Sequence, residues 1–148
     1  MNDLKNEAKE YLNQIRNADR EIDYQIQKLA DVHASFLKSP TFEKDKVQSS
    51  RNGSFDDKYV KYIELQELVN DKIDELWELK KKVDEQIAQI DDYQEALVLR
   101  YRYILNKPWK EIAHIINRSE GHVLKVHGCA LQSFQKKVLS EMIDNDSK

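Results

Sequence analysis

The sequence predicts an all-α protein, in which a long antiparallel coiled-coil hairpin precedes a three-helix helix-turn-helix domain. Only three Gly and two Pro occur among 148 residues, so few positions interrupt a helix. Apolar residues recur at steps of three and four through two long segments, as on one face of a helix. The formal charge changes sign along the chain, from −5 over residues 1–91 to +6 over residues 100–137. This asymmetry predicts two parts with different tasks.

The first segment predicts one amphipathic helix from about Asp3 to about Leu37. Helical geometry is disfavoured at Ser39 because it precedes Pro40. The apolar stripe of this helix consists of Leu4, Ala8, Tyr11, Ile15, Ala18, Ile22, Ile26 and Leu29. Residues 39–57 follow without a periodic apolar pattern, and we expect them to form a flexible loop.

The second segment predicts another long helix, with a matching apolar stripe. The stripe consists of Tyr62, Leu65, Val69, Ile73, Leu76, Leu79, Val83, Ile87 and Ile90. Such a helix extends roughly 45–50 Å and needs an equally long partner to cover its stripe. The first helix can fold back on it to form a hairpin domain of residues 1–91. An intermolecular coiled coil would bury the same positions, so the periodicity leaves both arrangements open.

A second domain is predicted over residues 92–148. It begins with Asp92 three residues before Glu95, the spacing of a capping box at the start of a helix. Beyond this point the apolar segments shorten, and they predict three helices within residues 96–105, 109–116 and 123–139.

The last two of these helices have the residue spacing of a helix-turn-helix. Ala113 allows the second helix to approach closely, and Val123 and Val126 fill the angle between the helices. Asn117 tolerates the left-handed backbone of a tight turn. Ser119 is suited to cap the second helix through its hydroxyl oxygen.

Double-stranded DNA is the partner that this motif and the basic charge predict. The first helix is expected over Pro108–Ile116 and the second from Ser119 to about Lys137, with its N-terminal end in the major groove. The residues expected to contact bases lie at that end, and those expected to contact phosphates precede it. The predicted DNA-binding residues are Lys107, Lys110, Arg118, Ser119, Glu120, Gly121, His122, Leu124 and Lys125.

Two stretches of the chain resemble a family of small transcriptional regulators from phages and prophages of Gram-positive bacteria. Residues 97–131 resemble region 4 of sigma factors, chiefly through Trp109 to Ala113 and the pair Ser119 and Val123. An N-terminal segment with Tyr11, Leu12, Ile15, Arg16, Asp19 and Ile22 is similar to the start of that family. The resemblance implies a regulator like the ArpU-type late-gene activators, encoded by a phage and acting on promoter DNA.

Two residues differ from the long polar side chains that such proteins often carry in the second helix. Gly121 removes a base contact and weakens the helix by up to about 1 kcal/mol relative to Ala. Leu124 suits either the methyl group of thymine or a protein partner, and we favour the methyl group.

The sequence argues against metal binding and catalysis. His122 and His127 are five residues apart and His127 and Cys129 two apart, so on a helix neither pair points in one direction. No phosphate-binding glycine loop or nucleophile with a nearby base is recognisable, so we expect no cofactor, no metal and no enzyme. Cys129, the only cysteine, is expected to be a buried thiol. Trp77 and Trp109 fall on apolar stripes and are expected to anchor cores.

The predicted setting is the cytoplasm of a bacterial host cell, because neither a signal peptide nor a membrane span is recognisable. A single small module binds DNA weakly at physiological salt, so we expect help from host RNA polymerase or from a homodimer formed by the helical hairpin. The alternative function is a coiled-coil adaptor that binds RNA polymerase or a repressor without contacting DNA.

Overall fold

The computed structural model describes the backbone of residues 2–38 and 52–146, and all of its regular structure is helical. This confirms the all-α class for the described part of the chain. Two long helices, α1 (Asn2–Lys38) and α2 (Asn52–Ile87), precede four shorter ones. These are α3 (Tyr93–Leu99), α4 (Trp109–Ile116), α5 (Glu120–Phe134) and α6 (Ser140–Asp146), with π-helical turns at Arg100–Ile104 and Gln135–Leu139.

The structure departs from the predicted helices in three places. In the C-terminal part α6 (Ser140–Asp146) lies beyond the three predicted helices, and α2 ends at Ile87, before the stripe residue Ile90. The third place is the expected loop of residues 39–57. Residues 39–51 of that loop lie outside the described part of the chain. Residues 52–57 are helical and form the beginning of α2, so the loop prediction is wrong for them.

The chain divides into two compact units, and the second of them, Asp19–Leu76, is a pair of antiparallel helical segments. The rings of His33 and Tyr62 lie 5.8 Å apart, and Lys72 Nζ lies 4.0 Å from a carboxylate oxygen of Glu21. As residue numbers increase along α1, the residues that α1 contacts on α2 decrease in number. The two segments therefore run antiparallel. Among the described residues of this unit, the buried apolar side chains are Ile22, Val69 and Leu76.

The first unit combines Met1–Ala18 with Trp77–Lys148. The Tyr11 hydroxyl donates a hydrogen bond of 2.8 Å to Gln86, and the Tyr11 ring lies 5.8 Å from that of Phe134. The first half of α1 and the end of α2 thus share a core with the C-terminal helices. This division differs from the expected boundary between residues 91 and 92, because Ala8, Leu12 and Ile15 are buried within the C-terminal unit.

The predicted cap of α3 forms in part. Asp92 accepts a hydrogen bond of 3.0 Å from the Glu95 amide, as a capping box requires. The Glu95 carboxylate instead accepts a hydrogen bond of 2.6 Å from Ser133 on α5. Glu95 therefore links α3 to α5.

Three expected core positions are exposed, namely Ile26 on the stripe of α1, Trp77 and Cys129. Trp77 is 69% exposed, because the inward positions of α2 are taken by Leu76 and, seven residues later, Val83. Cys129 is exposed because α5 buries the opposite face, which carries His127, Ala130, Leu131 and Phe134. The predictions of a core tryptophan at position 77 and of a buried thiol are wrong.

Candidate nucleic-acid interface

The turn between α4 and α5 has the geometry that the sequence predicts. Asn117 adopts a left-handed backbone with φ 56°. The amide of Arg118 bonds the carbonyl of Ala113 at 3.0 Å, and that of Asn117 bonds the carbonyl of His114 at 3.2 Å. This is the hydrogen-bond pattern of a Schellman motif, which ends one helix and redirects the chain within three residues.

The two helices cross over a small apolar core. Its buried members are Val98, Ile112, Ala113 and Val123, with Tyr101, Trp109, Ile116 and Val126 packed against them. The expected packing roles of Ala113, Val123 and Val126 are confirmed. Trp109 is half-buried against this core and acts as an anchor.

The start of α5 is capped as expected. The Ser119 hydroxyl accepts a hydrogen bond of 3.1 Å from the amide of His122, and Glu120 lies in the first turn. A carboxylate in this position is favoured by the positive end of the helix dipole. Ser119 is therefore engaged in its own helix.

Seven of the nine predicted DNA-binding residues are exposed, one of them in the first turn of α4 and six in the α4–α5 turn and the first turns of α5. They are Lys110, Arg118, Ser119, Glu120, Gly121, Leu124 and Lys125, and Leu124 is 49% exposed. The other two are half-buried and have partners. Lys107 Nζ lies 3.3 Å from the Glu111 carboxylate, and His122 Nε2 lies 3.3 Å from the side-chain oxygen of Gln94 on α3.

Gly121 stands in open space. A Cβ atom built there would have Ser119 Oγ, 4.0 Å away, as its nearest neighbour. The protein's own packing therefore does not demand glycine at this position, and its backbone is accessible from outside.

The positive charge of residues 100–137 is partly neutralised by acidic residues of α2 and of the α2–α3 connection. Arg100 Nε is 2.7 Å from the Asp84 carboxylate, and Lys137 Nζ is 3.0 Å from that of Asp91. Arg102 lies 4.1 Å from the centre of the Trp109 ring, a cation–π contact. The net charge of +6 includes all these cations, because their partners are not apparent from local spacing.

Four exposed cations of this region have no ion-pair or hydrogen-bond partner for their side chains within the described part of the chain. They are Lys110, Arg118, Lys125 and Lys136. Lys136 is not among the predicted DNA-binding residues. It follows Lys125 by eleven residues, which on a helix corresponds to about the same face and a separation of about 16 Å. This helical spacing is the feature of the sequence that could have identified Lys136 as part of the basic face.

A buried cluster behind the exposed face holds α5 against its neighbours. Tyr103 Oη and His127 Nε2 are 2.8 Å apart, and the Trp109 ring meets that of His127 edge-on at 4.6 Å. Burial, reinforced by the positive charges of Lys9 and Arg102, lowers the pKa of His127 to about 4. Burial also raises the pKa of Tyr103 to about 12, so both groups are neutral at neutral pH. His127 is therefore a packing residue of α5.

The described residues contain no group of three or more His, Cys, Asp and Glu side chains arranged to hold a metal ion. No helix in the described ranges is both long enough and apolar enough to cross a membrane.

The structure defines a small protein whose described part is all helical, with an exposed face at the start of α5. The chain belongs to the family described as Protein of unknown function (DUF1492), whose model matches residues 36–135. The match includes α4, α5 and the expected loop, whereas the N-terminal segment with Tyr11 and Ile22 lies outside it. No curated protein and no solved structure matches the chain.

Proposed function

We propose that this protein is a transcriptional regulator that binds promoter DNA with the exposed face of α5 and the turn before it. The observation that carries the proposal is the set of exposed cations without internal partners at Lys110, Arg118 and Lys125. Cations that no acidic residue neutralises are available to phosphates, which supply most of the affinity in protein–DNA binding. The resemblance of residues 97–131 to sigma factor region 4, and of the chain to ArpU-like phage regulators, supports the same function.

Each side chain has a role in this arrangement. Arg118 and Lys110 bind phosphates and fix the orientation of α5, while Lys125 lies at the level of the bases. Leu124 contacts a thymine methyl group, and Glu120 accepts a hydrogen bond from a cytosine amino group. His122 is held by Gln94 at 3.3 Å and orients α5. Lys107 contributes less because Glu111 neutralises it at 3.3 Å.

A single copy of this surface binds weakly at physiological salt, because so few phosphates are neutralised. We propose that host RNA polymerase or a second copy of the chain supplies the remaining affinity. We propose that the acidic helical hairpin contacts that polymerase or that second copy. The protein then acts in the bacterial cytoplasm together with the host enzyme.

Selection of binding sites from random DNA duplexes tests this function directly. We expect wild-type protein to enrich a motif. Lys125→Ala should accept that motif less strictly, and Arg118→Ala should bind all sequences more weakly and reduce the salt slope by about 1. Lys82→Ala, which removes an exposed lysine on α2, is the control and should behave as wild type. An absence of enrichment at both low and physiological salt would exclude autonomous DNA recognition.

The alternative is an adaptor that binds RNA polymerase or a repressor without contacting DNA. The observation that favours it is the exposure of Leu124 and Ile115, two large apolar side chains beside the turn. Under this alternative, Leu124→Ala would reduce binding of purified RNA polymerase, and the Lys125 and Arg118 variants would not change DNA binding.

A further inference from the structure

The first unit connects α1 to the π-helical turn Arg100–Ile104, which leads into α4. The side chain of Arg16, on α1, donates a hydrogen bond of 3.2 Å to the backbone carbonyl of Arg102. The two residues are 86 positions apart in sequence, and both belong to the first unit. Carbonyls in the last turn of a helix lack a donor within that helix. A side chain from α1 therefore completes the end of this turn.

The Arg102 side chain fixes the connection between the π-helical turn and α4. Its guanidinium donates a hydrogen bond of 3.1 Å to the carbonyl of Lys107 and lies 4.1 Å from the centre of the Trp109 ring. Asn106, within the same connection, has a left-handed backbone with φ 55°, which turns the chain sharply. Arg102 thus spans a sharp turn and holds the first residue of α4.

The contacts continue from Trp109 to α5. The Trp109 ring meets the His127 ring edge-on, with centres 4.6 Å apart. His127 is buried on the inner face of α5, two residues after the exposed Lys125. A continuous series of contacts therefore links α1 to α5, through Arg16, Arg102, Trp109 and His127.

We propose that Arg16 and Arg102 are positioning residues for the DNA surface, and that the docking of α1 regulates DNA affinity. Both side chains are engaged within the chain, so they act on DNA through the direction of α5. When α1 leaves the turn, a smaller fraction of the protein has the binding-competent arrangement, and the apparent affinity falls by that fraction. A partner that withdraws the first half of α1 would therefore lower DNA affinity. The inference rests on the proposed function and names its regulation.

DNA affinity of full-length variants, measured at several salt concentrations on the duplex that wild-type protein selects, tests this coupling. Arg16→Ala should lower affinity roughly tenfold, within the range by which residues without a ligand contact change coupling. Its salt slope should equal that of wild type, because no phosphate contact is lost. Arg16→Lys keeps a charged N–H donor and should recover most of the affinity. Arg20→Ala, which removes an exposed arginine one turn later on α1, is the control and should bind as wild type does.

Tryptophan fluorescence gives a second measurement that does not need DNA. The chain has two tryptophans, so in a Trp77→Phe background Trp109 is the sole source of tryptophan emission. Arg16→Ala should change that emission at an unchanged helical circular dichroism signal, because Arg102 is no longer held over the ring. Arg20→Ala should leave the emission as it is.

The outcomes separate this inference from the proposed function. Wild-type protein that binds no duplex would refute both. Unchanged affinity in Arg16→Ala would overturn the positioning role alone, and so would a salt slope reduced by about 0.9, because Arg16 would then contact a phosphate itself. Unchanged Trp109 emission would show that Arg16 does not act through Arg102. A loss of helical signal in Arg16→Ala would also overturn the proposal, because Arg16 would then support the fold as a whole.

Discussion

At the scale of single residues, Gly121 is a position where the stability of the fold and the binding of DNA favour different side chains. Glycine in a helix costs stability, and here neither a left-handed backbone nor a close internal neighbour calls for it. A duplex that approaches the backbone of α5 closely would explain its presence. Substitution of Gly121 should then increase the stability of the protein and decrease its affinity for DNA.

We expect Gly121→Ala to raise the free energy of unfolding by about 0.5–1 kcal/mol, because alanine restricts the unfolded chain and favours the helix. Urea denaturation should show a higher midpoint at an unchanged slope. The same variant should bind the selected duplex more weakly, because the added methyl group occupies the approach to the backbone. A variant that is both more stable and an equally good binder would contradict the close approach.

At the scale of elements, the cluster of Tyr103, Trp109 and His127 joins α5 to α4 and to the π-helical turn after α3. It fixes the direction of α5 relative to its neighbours, on which the placement of Leu124 and Lys125 depends. Helical periodicity places His127 on the inner face of α5. The partners across the interface come from positions 24 and 18 residues away, and local sequence does not encode those pairings.

Acidification should weaken this cluster. The pKa of His127 is lowered to about 4 in the folded protein, against about 6.5 in the unfolded chain. The unfolded chain therefore takes up the proton first. The stability that the neutral histidine contributes is complete above pH 6.5 and decreases as the pH falls from 6.5 to 4, by on the order of 3 kcal/mol.

Urea denaturation between pH 7 and pH 4 measures this effect. His127→Gln should lose less stability over that interval than wild type, by on the order of 3 kcal/mol. His114→Gln, which alters an exposed histidine of α4, should lose as much as wild type. Equal losses for all three proteins would show that His127 does not carry the pH dependence.

At the scale of the whole molecule, the sequence predicted local features well and distant contacts poorly. Periods of three and four placed α1 and α2, and single residues such as Asn117, Ser119 and Asp92 marked the turn and the caps. The orientation of Trp77 and the contact between Tyr11 and Phe134 depend on packing between segments far apart in sequence. The same limit applies to charge, because Asp84 and Asp91 neutralise cations that the net charge counts as available.

The salt dependence of DNA binding measures how many cations remain available. If Lys110, Arg118, Lys125 and Lys136 each neutralise a phosphate, log affinity should fall with log salt concentration with a slope near −3.6. The net charge of +6 over residues 100–137 would instead predict a slope near −5.4.

Substitution of the two neighbouring lysines of the π-helical turn distinguishes these two predictions of the slope. Lys136→Ala should reduce the slope by about 0.9, whereas Lys137→Ala should leave it unchanged, because Lys137 is already paired with Asp91 at 3.0 Å. Equal effects of the two substitutions would mean that DNA displaces Asp91, and that internal ion pairs do not limit the basic surface.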